Sequence, residues 1–188
     1  MKNTVNQAII SFLLICLIFA SCKKEEKEVK QNAFRYNSKE AEIGTALGIK
    51  YGVTTSPGVY AINMIFFEKT IIVHSLTNFP DSASGTGDAL FLTLLTNNET
   101  EVTPGEYTLI PSVGVPKAFV IDANDDTGLL VNYDISRGGG GYAYLDISSG
   151  KVTVTKNGDT YEFTFNLNTT VNSTITGFYK GKVEILSL

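Results

Sequence analysis

The chain contains no tryptophan, one histidine and two cysteines among its 188 residues. Both cysteines, Cys16 and Cys22, lie near the start, so the rest of the chain has no thiol. Beyond residue 22 this excludes thiol nucleophiles, disulfides and cysteine-ligated metals. The single histidine, His74, excludes a metal site with two histidine ligands. Without tryptophan, the usual aromatic residue of a carbohydrate platform is also missing, although tyrosine and phenylalanine can stack on sugars.

Long apolar runs are scarce too, and the one clear example is at residues 8–20. Its 13 residues fall short of the roughly 20 that a membrane-spanning helix needs. The run follows Lys2 and leads into the small residue Ser21 and then Cys22, which is the order of a cleavable export signal. Residues 1–21 are therefore predicted to be a signal peptide, with Cys22 beginning the mature protein. The alternative is an ordinary secretory signal in which Cys22 is incidental.

Charge divides the remaining chain into a tether and a folded part. Residues 22–32 include Lys23-Lys24-Glu25-Glu26 and too few apolar residues to form a core, so they are predicted to be a solvated tether. The length of residues 33–188 suits one domain. From residue 31 onward there are 10 basic and 16 acidic residues, a net charge of −6. No basic stripe is available, which excludes nucleic acid as a partner.

From Phe34 onward the pattern is that of successive β-strands, because β-branched and aromatic residues alternate with polar ones between turn-forming clusters. No amphipathic helical stretch is longer than two turns. We predict an all-β fold, an antiparallel β-sandwich with jelly-roll-like connections, with a barrel as the less favoured alternative. The predicted strands are 33–37, 41–51, 58–68, 70–77, 88–97, 105–110, 117–123, 129–135, 142–148, 151–157, 159–167 and 173–186.

Two features of this pattern are specific enough to test. Residues 151–155 and 160–167 alternate with a period of two, and Asn157-Gly158 between them favours a tight hairpin because glycine tolerates a positive φ. Residues 61–67 and 89–95 are more continuously apolar, which is typical of central strands covered on both faces.

The start of the chain resembles that of bacterial lipoproteins. Ala20-Ser21-Cys22 resembles their lipobox, although Phe19 replaces the more usual Leu, Val or Ile. The resemblance implies diacylglycerylation of the Cys22 thiol, cleavage before it, and acylation of the new amine by a fatty acid such as palmitate. Several acyl chains make membrane attachment effectively permanent. Lys23, Lys24, Glu25 and Glu26 are similar to the signal that sends Bacteroidota-type lipoproteins to the outer face of the outer membrane.

Two further segments resemble small Bacteroidota-type lipoproteins that have no agreed activity. These are Pro104-Gly105-Glu106-Tyr107-Thr108 and the closing segment 150–161, which is followed by Gly177-Phe178-Tyr179-Lys180-Gly181. Their glycines and tyrosines are turn and core residues, so the resemblance implies a β-sandwich at the outer membrane and no catalytic residue.

The best candidate for a cofactor site is an oxygen-rich loop. Asp122, Asn124 and Asp126 alternate as calcium ligands do, but Gly128 comes one residue late and Tyr133 occupies the twelfth position. The alternative is a polar hairpin. We therefore predict no cofactor, with calcium as the alternative.

The remaining motifs are weaker. His74 lies on a strand pattern without a nucleophile motif, so we interpret it as a hydrogen-bonded packing residue. The glycine run 138–141 precedes a strand rather than a helix, which favours a flexible hairpin over a phosphate site. Asp81-Ser82-Ala83 resembles the O-glycosylation signal of exported Bacteroidota-type proteins, with Ser82 as the acceptor.

These features favour a surface-anchored, non-catalytic binding module for a glycan or a surface protein. A structural envelope or adhesion component is the first alternative, and a hydrolase acting on extracellular glycan is the second. Covalent lipid on Cys22 provides the membrane contact in each case.

Overall fold

A computed structural model of the chain describes residues 32–54, 56–77, 79–110, 119–122, 127–137 and 142–187. These residues form thirteen β-strands, a 3-10 helix at Ile135–Arg137 and no α-helix. The strands are β1 (Ala33–Tyr36), β2 (Lys39–Val53), β3 (Tyr60–Glu68), β4 (Ile72–Val73), β5 (Ala83–Ser84), β6 (Thr86–Thr96), β7 (Gly105–Ile110), β8 (Val120–Asp122), β9 (Gly128–Asp134), β10 (Ala143–Asn157), β11 (Thr160–Thr169), β12 (Thr174–Gly181) and β13 (Glu184–Ser187). The predicted all-β sandwich is confirmed.

Eleven of the strands are joined by hydrogen bonds in the order β1-β12-β11-β10-β7-β8-β6-β3-β2-β13, and β9 bridges β10 and β6. The pairs are antiparallel except β7–β8 and β13–β2, which are parallel. Strand β1 pairs with β2 as well as with β12. Strand β1 therefore joins the side of the fold that contains β10, β11 and β12 to the side that contains β2, β3 and β6.

The main core lies between these two sides. On β11, Phe163 and Phe165 point inward and are almost fully buried, as the period of two predicts. The Phe66 ring of β3 packs edge-on against both, with ring centroids 5.1 and 4.8 Å apart. Edge-to-face packing of this kind adds to the stabilisation from area burial.

The predicted hairpin is confirmed, because Asn157 pairs with Thr160 across Gly158, which has a φ of 58°. Predicted strands 142–148 and 151–157 instead form one strand, β10. Gly150, with a φ of 124°, lets that strand bend rather than end, and a Cβ there would overlap the Asn166 carbonyl oxygen. Strand β10 consequently pairs with β9 through its first half and with β7 through its second.

A second apolar cluster lies on the outer face of β2, β3 and β6, and we call it the outer cluster. The predicted strand 70–77 shortens to β4, which pairs with β5. Residues of the segment 71–83, which contains β4 and β5, pack over this face of the sheet. Strands β3 and β6 are thus covered on both faces, as predicted. The buried members of the outer cluster are Leu47, Ile49, Ile65, Phe67, Ile71, Ala83, Ala89 and Ile135.

The predicted strand 173–186 divides into β12 and β13. Residues 182 and 183 lie between them, and β13 then runs parallel to β2, with Ile185 opposite Gly48. A Cβ on Gly48 would lie 2.9 Å from the Ile185 side chain, so the missing side chain makes room for this packing.

Candidate functional site

Three tyrosines lie together on the outer side of β9 and β10, and we call them the tyrosine face: Tyr133, Tyr142 and Tyr144. Tyr142 directly precedes β10, and Tyr144 follows two residues later on the same side of the strand. Their exposed fractions are 43% and 41%. An exposed aromatic group of this kind marks a binding surface more often than isolated apolar residues do.

The tyrosine face continues the outer cluster toward solvent through a chain of ring contacts. The Phe67 and Phe91 centroids are 6.3 Å apart, Phe91 and Tyr133 are 6.1 Å apart, and Tyr133 and Tyr142 are 5.7 Å apart. The chain begins at fully buried Phe67 and ends at half-exposed Tyr142. Because the two rings between them, Phe91 and Tyr133, are partly buried, Tyr142 rests on packed neighbours.

Tyr144 is positioned by a glycine on the neighbouring strand. A Cβ at Gly128 of β9 would overlap the Tyr144 ring, so the ring occupies the space that a side chain would otherwise fill. Leu145, which follows Tyr144, packs against the main core. The period of two then directs Tyr144 outward, and Gly128 allows its ring to lie against the sheet.

Tyr133 owes its outward direction to a β-bulge. Gly87 pairs with Tyr133 and Ala89 with Leu130, so Asp88 alone faces two residues of β9. One of the two, Asn132, has a φ of 58°, and its backbone N–H donates to Asp88 Oδ1 at 3.1 Å.

Asp88 is fully buried, and several donors satisfy its carboxylate. Tyr36 donates its hydroxyl to Oδ2 at 2.6 Å, and Lys39 Nζ lies 2.6 Å from the same oxygen. Burial, and then the hydrogen bond to Asp88, raises the pKa of Tyr36 above its usual range. The buried charge is paired and hydrogen-bonded, which is the condition for tolerating it. We interpret Asp88 as the residue that fixes the bulge beneath the tyrosine face.

Tyr133, the central member of the tyrosine face, is uncharged over the physiological pH range. Burial, followed by interaction with Tyr142, raises the pKa of Tyr133. Its hydroxyl therefore remains available as a hydrogen-bond donor.

A groove of about 410 Å³ lies elsewhere, where the β10–β11 turn approaches β13. Lys156 in this groove is bonded to Glu101 and lies 4.9 Å from the Tyr161 ring centroid. The hydrogen bond to Glu101 raises the pKa of Lys156. Both lysines of this groove are paired, Lys156 with Glu101 and Lys182 with Asp159, so they offer less to a ligand than unpaired groups would.

His74 lies beside a second cavity, of about 360 Å³, that Tyr179, Lys182 and Glu184 also line. Its Nε2 is 2.9 Å from Ser84 Oγ, within reach of a nucleophile–base pair. In the described part of the chain no carboxylate is hydrogen-bonded to the imidazole. The histidine is hydrogen-bonded, as predicted, but it is exposed on the short β4–β5 hairpin and is not packed in a core.

The predicted calcium ligands are only partly within the described residues. Asp122 ends β8, and its carbonyl accepts a hydrogen bond from the Thr127 hydroxyl at 2.6 Å. Asn124 and Asp126 lie outside the described residues. Within the ranges described, no three histidine, cysteine, aspartate or glutamate side chains are grouped to hold a metal ion. Calcium binding stays a prediction.

Other predicted site residues are placed as follows. Ser82 is half-buried, and its hydroxyl donates to the Ser75 carbonyl. Cys22, the signal Lys23–Glu26 and the glycine run 138–141 lie outside the described residues. Among residues that are described, no helix is both long and apolar enough to cross a membrane.

Comparison of the chain with protein-family models, curated proteins and solved structures gives no match. The resemblance to outer-membrane lipoproteins therefore rests on the sequence motifs alone.

Sequence reasoning did not identify the tyrosine face. The pair Tyr142 and Tyr144 is visible as an alternation, but alternation does not tell which face is covered. The signal that could have found it is the acidic, polar setting of both tyrosines, since Asp146 continues their side of the strand. The sequence could not have placed Tyr133 with them, because the bulge at Asn132 turns the Tyr133 side chain to the side of β9 opposite to the one that alternation predicts.

Proposed function

We propose that this protein is a lipid-anchored component of the bacterial outer membrane that binds glycans through the tyrosine face, without a catalytic role. The observation that supports it best is the exposure of Tyr142 and Tyr144 on one side of a rigid sheet. A tyrosine offers an apolar ring and a polar hydroxyl, and a sugar offers an apolar C–H face and polar hydroxyls. The two surfaces are chemically matched.

Rigidity supports this proposal as much as composition does. The face sits on β9 and β10, and Tyr133 and Tyr142 rest on the ring chain from the outer cluster. A rigid side chain loses little conformational entropy when a ligand binds. A face built on strands is also held more exactly in place than one built on loops.

The proposed localisation at the outer membrane is supported by the sequence motifs at the start of the chain. Cys22 follows a signal-like apolar run, and the charged residues Lys23–Glu26 follow it directly. Lipid on Cys22 would hold the domain by the segment that precedes β1. The tyrosine face would then be presented to glycans outside the cell.

The test uses cells that produce the full chain, retained on immobilised cellulose, xylan, α-glucan or chitin. We expect retention on at least one of these polysaccharides. Tyr142→Ala and Tyr144→Ala should each reduce it about fivefold or more, the usual loss when a central aromatic contact is truncated. Tyr51→Ala is the matched control, because Tyr51 is 60% exposed on β2, outside the tyrosine face. Its retention should equal that of the parent.

The same cells test the proposed localisation. Cys22→Ala should remove the protein from the membrane fraction, and neutralising Lys23–Glu26 should reduce antibody labelling of intact cells. Retention on none of the polysaccharides, or retention that both tyrosine substitutions leave unchanged, would refute glycan binding at this face. Continued membrane association of the Cys22→Ala chain would instead refute lipid anchoring, and the binding result would stand apart from it.

A further inference from the structure

The tyrosine face belongs to the most acidic part of the chain. Residues 70–150 contain two basic residues, Lys117 and Arg137, against ten acidic residues, a net charge of −8. Residues 31–69 and 151–188 each carry four basic and three acidic residues, a net charge of +1. Part of this charge is neutralised by lysines of other segments, since Glu106 pairs with Lys151 away from the tyrosine face and buried Asp88 pairs with Lys39. The charge that bears on the tyrosine face is therefore that of the residues beside the tyrosines.

One exposed carboxylate lies on the same side of the sheet as the tyrosines. Asp146 follows Tyr144 by two residues, so it lies on the same exposed side of β10. Asp134 directly follows Tyr133 at the end of β9, so it faces the other side of that strand, and its Oδ1 accepts hydrogen bonds from the Ser136 hydroxyl at 2.6 Å and the Ser136 N–H at 3.1 Å. These serine bonds hold the Asp134 carboxylate in place.

Basic residues are missing from the strands around this face. Strands β6, β8 and β9 and residues 143–150 contain no lysine or arginine. On the other side of the fold, by contrast, lysines pair with glutamates across neighbouring strands. Lys151 lies 2.9 Å from Glu106, and Lys180 lies 2.6 Å from Glu162.

We infer that the tyrosine face selects glycans that bear free amino groups and rejects glycans that bear carboxylates or sulfates. This inference rests on the proposed function. A sugar ammonium group is attracted both by the electron-rich face of a tyrosine ring and by an adjacent carboxylate. An acidic sugar would meet the Asp146 carboxylate with no basic residue on the same strands, and like charges at an interface oppose binding.

The test compares three hexasaccharides against the full chain purified in detergent, at mildly acidic pH where the sugar amine is charged. Fully deacetylated and fully N-acetylated glucosamine hexamers share one backbone and differ only in the amine, and hexagalacturonate supplies the acid. By isothermal titration calorimetry we expect the amine-bearing hexamer to bind about fivefold tighter than its acetylated form. The uronate should bind weakest. Added salt should reduce the preference, because it screens charge.

Two variants complete the test. Asp146→Asn should reduce the preference for the amine-bearing hexamer and leave affinity for the acetylated hexamer unchanged. Asp159→Asn is the matched control, since the Asp159 side chain is 84% exposed at the β10–β11 turn, and the preference should persist. Equal affinity for the two hexamers, or tighter binding of the uronate, would overturn this inference while leaving glycan binding intact. Binding of none of them, together with failed retention on every polysaccharide, would remove the proposed function itself.

Discussion

The outer side of β11, β12 and the second half of β10 (residues 151–157) and the outer side of β3, β6 and β9 are built on the same period of two, yet they differ in what covers them. On the first, the outward residues are polar and exposed, among them Thr153, Thr164 and Thr176. On the second, outward residues such as Ile65 and Phe67 are buried under the segment that contains β4 and β5.

The difference shows what decides the fate of an outward-facing strand position. Polar alternation needs no cover, and its lysines and glutamates can pair across strands. Apolar residues at both parities require a second layer, which here comes from residues 71–83. This cover protects Phe67 and Phe91 and ends before Tyr142, and the tyrosine face is its exposed margin.

The largest effect should come from removing a ring beneath the cover. Phe67→Ala deletes a fully buried side chain that contacts Phe79 and Phe91, so it should lower the free energy of unfolding by about 3–5 kcal/mol. Thr164→Ala, at an exposed position of the polar side, should change it by no more than about 0.5 kcal/mol. Urea denaturation measures both. Similar losses for the two variants would contradict the contrast between the sides.

An intermediate effect should appear in the core that both sides enclose. Burial raises the pKa of Tyr107 to about 12, and its hydroxyl donates to the Thr103 carbonyl at 2.7 Å. The ordinary tyrosine pKa is about 10, and a pKa difference of about 2 corresponds to roughly 3 kcal/mol. Below pH 10 the phenol is protonated in both states. As pH rises from about 10 to about 12 the unfolded state loses its proton first, so the folded state loses stability.

Tyr107→Phe removes this ionisation, so stability of that variant should fall less steeply over the same alkaline range. Denaturation at a series of pH values compares the two slopes. The parent and variant are matched in ring size, and the offset between them at neutral pH reports the lost hydrogen bond separately. Parallel slopes would show that Tyr107 does not contribute to alkaline unfolding.

The smallest effect should come from an ion pair of the polar side. Lys180→Met removes the partner of Glu162, and both side chains are substantially exposed. Exposed pairs contribute roughly 0–1 kcal/mol, and salt screens that contribution. We expect a loss below about 0.5 kcal/mol that vanishes in high salt, measured by denaturation at two ionic strengths. A large, salt-independent loss would mean that the polar side depends on its pairs.

The sequence could predict the features that local pattern determines. The alternation of Phe163 and Phe165 and the Asn157-Gly158 turn defined the β10–β11 hairpin, and the apolar runs 61–67 and 89–95 indicated central strands. Features set by distant contacts could not be predicted in the same way. The parallel pairing of β13 with β2 depends on residues more than a hundred positions apart.

The candidate site illustrates the same limit. The side of the sheet on which Tyr133 lies depends on a bulge that Asp88 holds from another strand. The space for the Tyr144 ring depends on Gly128 of β9. Neither contact can be predicted from the residues next to the tyrosines in the sequence. The pattern alone could therefore identify the aromatic residues but not that they lie on one face.

The double pairing of β1 has a mechanical consequence. Ala33 lies opposite Glu42 on one neighbouring strand and Phe178 on the other, directly after the segment that would lead to the membrane. A force applied through that segment cannot open a single row of hydrogen bonds at a time. Both ladders must yield together before β1 can leave the fold, so the strand nearest that segment is held from two sides.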